Sequence, residues 1–212
     1  MYSANRRLER RDDIVAHFTT HYHVRSIKSY AHHETHSLIV EGTGSMILDR
    51  TSKKIYACLS QRSDLSLLED IASDLGYSLV PFTATDDRGV KYYHTNVIMS
   101  LAENVAIICL ESITDITERD MVRGQLEQSD RTIIDISRSQ VAHFCGNMLQ
   151  LKTKNGEKIM VMSDRAYKNL TQSQIDLIKQ SCTIIHSPLP TIEKYGGGSA
   201  RCMIGEIFLF KK

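Results

Sequence analysis

Tryptophan is absent, prolines number only three, and no low-complexity tract interrupts the 212 residues. With no proline-, glycine- or serine-rich linker to divide the chain, a single domain over residues 1–212 is expected. Charge of one sign is not in excess either: 26 Lys and Arg stand against 25 Asp and Glu, which gives no electrostatic footprint for nucleic acid. Arg6, Arg7, Arg10 and Arg11 crowd the start, but Asp12 and Asp13 follow directly, and the cluster reads as a solvated helix face. Long hydrophobic runs are missing. The longest are of the size of "VAIICL", and the first residues carry no apolar stretch of signal-peptide type, so a soluble, cytoplasmic protein without membrane contact is expected. Five cysteines lie scattered without a C-x-x-C pair, suggesting neither a disulfide framework nor a zinc ribbon. "HHETH" at 32–36 lacks the spacing of a helical zinc site, since the position that needs the second histidine is Ser37. No metal is expected, and residues 30–37 read as a surface loop.

What the chain does contain is a repeat. "GTGSMILD", "KIYACLS", "SDLSLLEDIASDLGY" and "SLVPFTA" read as strand, strand, helix, strand. The same order returns in "TNVIMSLA", "VAIICLES", "TERDMVRGQLEQSD" and "TIIDIS", and again in "GNMLQLKT", "EKIMVMS", "TQSQIDLIKQS" and "TIIHSPL". The helices are predicted to begin at Ser63, Thr117 and Thr171, all capping types. The period is about 53 residues. Ahead of these units, residues up to about 30 read as a helix and a strand, and "ARCMIGEIFLF" after them reads as one more first strand. Such α/β units cannot bury their apolar faces alone, so they must stack, in a row or around an axis.

At the mouth of each first strand stand Glu41, His94, the stretch Cys145 to Asn147, and Cys202. Were the units related by rotation, a carboxylate, an imidazole, an amide and a thiol would converge, which is the composition of a nucleophilic site. In an open solenoid the same residues would lie in a row, and spacing alone leaves both arrangements open.

The stretches "VEGTGSMILDR", "CLSQRSD", "YHTNVIMSLAENVAIICLESI", "GNMLQLKTKNGEKIMVMS" and "TIEKYGGGSARCMIGEIFL" closely resemble the citrulline-utilisation hydrolases of the amidinotransferase, or guanidino-group-modifying, superfamily. These are relatives of dimethylarginine dimethylaminohydrolase and arginine deiminase. The resemblance implies the pentein fold, a five-bladed α/β propeller with its active site on the pseudo-fivefold axis. It also implies Glu41, His94 and Cys202 as the catalytic set and a small guanidino or ureido molecule as substrate, with neither metal nor organic cofactor. Members of that family begin earlier, so against them the chain reads as N-terminally truncated. It would hold a partial first blade over 1–30, three full units over about 41–190 and a closing strand over about 198–210.

Each of these residues also has an ordinary reading. Cys202 alone would be a buried core thiol; the preceding Gly196 to Gly198, which let backbone approach a ligand closely, favour a nucleophile. His94 suits proton transfer in both directions, or it is a satisfied histidine at a strand start. Glu41 would bond substrate nitrogens and orient His94, or be a solvated turn residue. Arg62 would take a substrate carboxylate, as the matching arginine in relatives suggests, or cap a helix. Asn147 would contact substrate or only order the strand mouth. For Cys58, Cys109, Cys145 and Cys182 the core reading leads.

Two functions from different classes follow. One is a hydrolase of C–N bonds, most readily citrulline to ornithine, with arginine deiminase or dimethylaminohydrolase activity as the alternative. The other is an inactive pentein fragment, or one that pairs with a second chain; a homo-oligomer is left open.

Overall fold

The structure, a computed structural model, describes residues 1–212. It is a mixed α/β fold of three sheets, each with three strands. The first holds β1 (Ile47–Asp49), β2 (Lys54–Cys58) and β3 (Ser78–Phe82). The second holds β4 (Met99–Leu101), β5 (Val105–Ile108) and β6 (Thr132–Asp135). The third holds β7 (Leu149–Lys152), β8 (Lys158–Ser163) and β9 (Thr183–Ser187). In every sheet the first strand runs antiparallel to the middle one and the last runs parallel to it. A tight turn can join the antiparallel pair, whereas the parallel pair needs a crossover, and in each unit that crossover contains a helix.

Those helices span Leu65–Leu75, Ile116–Glu127 and Gln172–Lys179. The first two begin on Asp64 and Asp115, whose carboxylates accept the N–H of Leu67 and Glu118; the caps therefore differ from the expected Ser63 and Thr117. An aspartate is a strong cap because its ionised oxygens accept the free N–H groups of the first turn. Thr171 caps the third as expected, in a reciprocal pairing with Gln174. Leu67, Leu68, Ile71 and Ala72 form the buried stripe of the first helix. They pack with Ile55 and Ala57, while Tyr56 and Cys58 on the other face of β2 join the core shared with the second unit. The two-residue alternation of a strand thus binds each sheet to its own helix and to its neighbour. Pro81 sits in β3, an edge strand, where its missing N–H leaves no ladder partner unsatisfied.

The first strands stand next to one another, β1 beside β4 and β4 beside β7. Arg131, just before β6, reaches Asp49 at the end of β1 with two bonds of 2.7 and 3.1 Å and bonds the Ala102 carbonyl at 2.8 Å. Both partners are buried, so this ion pair stitches the first two units together without solvent screening.

The chain ends differ from expectation. Residues 1–30 contain a 3-10 segment (Ala4–Glu9) and a helix (Asp12–His21) but no strand, and residues 198–210 contain a 3-10 turn (Ala200–Met203) instead of a closing strand. A single bridge links Tyr22 to Lys211, flanked by bonds from His23 N to the Phe210 carbonyl and from Lys212 N to the His21 carbonyl. A strand persists only where a neighbour takes its N–H and C=O groups. Each complete unit supplies a middle strand for that purpose, and none lies between these two end segments. The "HHETH" stretch is a 3-10 turn, Ala31–His36, in which Glu34 pairs with Arg7 and Arg10. No helix is long and apolar enough to cross a membrane.

Candidate active site

Glu41 precedes a 3-10 turn, Gly42–Gly44, that leads into β1. Its backbone N–H donates to Ser45 Oγ at 2.8 Å, and that hydroxyl donates on to the Arg62 carbonyl at 2.6 Å. The carboxylate is 2% exposed and accepts three bonds, from His94 Nε2 (2.8 Å), Arg6 Nη1 (2.9 Å) and the Tyr2 N–H (2.8 Å). Arg62 Nη1 lies 3.7 Å from the same carboxylate. Burial alone would push the Glu41 carboxyl up, but the Tyr2 N–H, Arg6 and His94 together hold it below its ordinary value.

His94 caps the short helix Thr95–Ile98 ahead of β4. Thr95 Oγ1 donates to the Ser45 carbonyl at 2.5 Å and accepts the Cys58 N–H at 2.8 Å, which fixes the His94 backbone against the first unit. The ring lies on Gly44, where a Cβ would come within 2.7 Å of Nδ1, so only glycine leaves it room. Burial pushes the imidazole down to about 4, outweighing the attraction of Glu41, and the charges of Arg62 and Arg6 act in the same direction. His94 is therefore neutral near pH 7. A carboxylate only accepts, so the neutral ring gives its Nε2–H to Glu41 and keeps Nδ1 as the free base.

Cys202 lies in the Ala200–Met203 turn and is exposed, whereas the other four cysteines are buried and unpaired. Burial pushes Cys58 and Cys145 up to about 12 and Cys109 to about 11, and raises Cys182. Those four are inert core thiols. The Cys202 sulfur accepts from Asn147 Nδ2 at 3.2 Å and from Asn96 Nδ2 at 3.6 Å. A Cβ on Gly198 would stand 2.8 Å from that sulfur, which explains the glycine there. Tyr93 Oη donates to the Gly197 carbonyl at 2.5 Å and holds the glycine run in place.

These groups open onto one cavity of about 530 Å³, lined among others by Arg6, Glu41, Arg62, His94, Asn96 and Cys202. Of the residues singled out in the sequence, Glu41, His94, Arg62, Gly198 and Cys202 line it, and Asn147 reaches it through the sulfur. Arg62 is neither a helix cap nor free in solvent: its guanidinium lies 4.9 Å from the Tyr93 ring and 5.7 Å from the Tyr2 ring. Arg6 and Asn96 were missed. Asn96 stands within the "YHTN" stretch two residues after His94 and could have been found by asking which polar side chain shares that turn. Arg6 does not belong to a solvated face as its cluster suggested, because one of its arms ends on Glu41.

The model of the eukaryotic N,N-dimethylarginine dimethylhydrolase family matches residues 1–209. The chain belongs to this family. No curated protein matches it. Among solved structures, the fold is similar to that of ArgZ, an arginine dihydrolase from the ornithine-ammonia cycle in cyanobacteria. Identity to it is 18%, with a TM-score of 0.61 over 81% of this chain and 24% of that one. The N-terminal domain of ArgZ, solved with bound substrate, gives 18% identity and a TM-score of 0.59 over 81% of this chain and 56% of that one. Unliganded AgrE gives 19% and 0.61 over 81% and 22%. The chain thus spans about a quarter of the length of the solved ArgZ chain and just over half of that of its N-terminal domain.

Proposed function

We propose that the protein hydrolyses a C–N bond of the guanidino or ureido group of an arginine-like amino acid, through a covalent adduct on Cys202. The observation that carries this reading is the cavity onto which an exposed thiol between two amide donors and a neutral histidine on a buried carboxylate all open. The thiol proton passes to His94 Nδ1, and the sulfur adds to the planar carbon. The imidazolium, stabilised by Glu41, returns that proton to the departing amine. Water then attacks the thio-linked carbon, giving one proton to His94; the C–S bond breaks and the thiol is regained. Glu41 holds the substrate nitrogens, and Arg62 takes the substrate carboxylate against the Tyr93 ring. The three sheets fit three blades of a pentein propeller around this cavity, and five unpaired cysteines fit a reducing, cytoplasmic setting.

One contact favours a guanidino over a ureido substrate. Glu41 already carries a guanidinium, that of Arg6, at 2.9 Å. A buried carboxylate gains more from such a cationic N–H fork than from the neutral urea of citrulline. The experiment is parallel incubation with N,N-dimethylarginine, L-arginine and L-citrulline. Release of dimethylamine or ammonia with citrulline as co-product is expected from the first two. Ornithine formed from citrulline alone would shift the reading to the ureido substrate, and no amine from any of the three would overturn it.

A further inference from the structure

Four arginines crowd the start of the chain, and the fold sorts them. Arg7 and Arg10 end on Glu34 and Arg11 on Asp13. Only Arg6 of the four lines the cavity of Cys202. Its guanidinium is held at every nitrogen: Nη1 donates to Glu41 Oε2 at 2.9 Å, while Nε and Nη2 donate side by side to the two oxygens of Glu9 at 3.1 and 3.3 Å. Glu9 lines the same cavity. Glu41 Oε2 also takes the Nε2–H of His94 at 2.8 Å, so the guanidinium and the imidazole meet on a single oxygen. The N–H groups of a guanidinium point along its plane, and bonding all of its edges leaves the two faces of Cζ open. A nucleophile reaches a planar carbon through a face.

The segment that carries Arg6 is docked much as a peptide would be. The Tyr2 N–H donates to the other oxygen of Glu41 at 2.8 Å, and the Tyr2 ring lies 5.7 Å from the Arg62 guanidinium. The Ala4–Glu9 turn buries no residue, so these polar contacts and not a packed core hold it on the cavity. The other two arginines of the cavity are placed differently. Arg62 Nη1 stands 3.7 Å from Glu41, and Arg201 turns to the Ile204 carbonyl and Glu206. Arg6 is the arginine that brings its reactive group onto the carboxylate of the candidate site.

We propose that Arg6 is a substrate of its own chain, which Cys202 converts to a citrulline residue. The proposal rests on the covalent reading of the site and extends it from a free amino acid to a side chain of the protein. The thiol proton passes to His94 and the sulfur adds to Arg6 Cζ. A terminal C–N bond then breaks, and its nitrogen leaves as ammonia with the proton from His94. Water adds to the thio-linked carbon and the C–S bond breaks; one proton of the water restores the thiol and the other leaves with the ammonia as ammonium. Guanidinium and water thus give urea and ammonium, with nothing oxidised or reduced. Because the group is tethered in place, no second molecule has to be found. The neutral urea loses the charge that strengthens the bonds to Glu41 and Glu9, so conversion loosens the segment and opens the cavity.

The test is the mass of the peptide that holds Arg6, taken from the whole chain after incubation. A glutamyl endopeptidase cuts after Glu9 and leaves Arg6 and Arg7 on one peptide, whose fragment masses tell the two apart. The parent, kept at neutral pH with no amino acid added, is expected to exchange NH for O at Arg6 and not at Arg7, with release of an equal amount of ammonia. The rate should not depend on protein concentration, as befits a reaction within one chain. Cys202→Ala is expected to keep Arg6 intact, both alone and when mixed with the parent; should it not fold, Cys202→Ser serves in its place. Arg6 unchanged in a parent that releases amine from any of the three amino acids overturns this inference alone. Arg6 unchanged in a protein inert toward all three overturns the covalent reading with it. Conversion in a Cys202 variant, alone or in the mixture, also overturns the inference, because the chain's own thiol would then not be the agent.

Discussion

β5 and the last residues of the chain are made of the same material and fare differently. Val105–Ile108 is buried at every position, held between β4 and β6 and packed in the main core. Ile207–Phe210 is as apolar, yet Phe208 remains 57% and Phe210 82% exposed, with one bridge at Lys211 for support. Composition supplies the drive to bury, but paired neighbours decide whether burial happens. The difference also divides labour. Stability resides in the three complete units, while the thiol of the candidate site is carried by the turn that leads into the unpaired end.

Substitutions can break that division from either side. The largest effect is expected for Cys202→Ala, which should lower turnover in the proposed reaction by more than about a thousandfold while leaving the thermal midpoint in place. Progress curves and a melting curve on one preparation check both halves. Next comes Arg131→Ala, which strands Asp49 as an unpaired buried charge between the first two units. A loss of about 3–5 kcal/mol is expected, read from urea denaturation, and the double variant with Asp49→Ala should recover part of it. Ile107→Ala, in the middle of β5, should cost about 2–5 kcal/mol by the same measurement.

Acid should act through the site. The folded His94 titrates at about 4 against an ordinary 6.5, so between those values the unfolded chain binds more protons than the folded one. Stability should then fall as pH drops from 6.5 to 4, by on the order of 2–3 kcal/mol. The lowered Glu41 carboxyl extends the loss below its ordinary 4.5. His94→Gln should flatten the upper part of that profile. The smallest effect belongs to the chain end: Phe210→Ala should change stability by less than about 0.5 kcal/mol, and a change as large as that of Ile107→Ala would erase the contrast between the two regions.

Much of this was legible in the residues. Every strand of the three units lies inside an apolar run read from the sequence, because turn residues bound each run and its neighbours in the unit complete the ladder. The mouth positions were legible because a repeat carries equivalent positions to equivalent places. What escaped depended on contacts that local pattern does not encode. Arg6 resembles its neighbours Arg7, Arg10 and Arg11, and only the folded chain brings it to a carboxylate 35 positions away. The closing strand was read from apolar residues alone, and the missing ladder partner leaves no mark on that segment.

The arm of Arg6 gives the site an occupant before any substrate arrives. A guanidino compound that binds through Glu41 must displace a guanidinium tethered to the same chain, whose effective concentration is set by that tether. Measured affinity is then the intrinsic affinity multiplied by the fraction of time the arm is away, and each tenfold preference for the closed arm weakens apparent binding tenfold. A small ligand in this cavity is selected by exchange against an internal rival, and its binding should depend on how the first eleven residues are held.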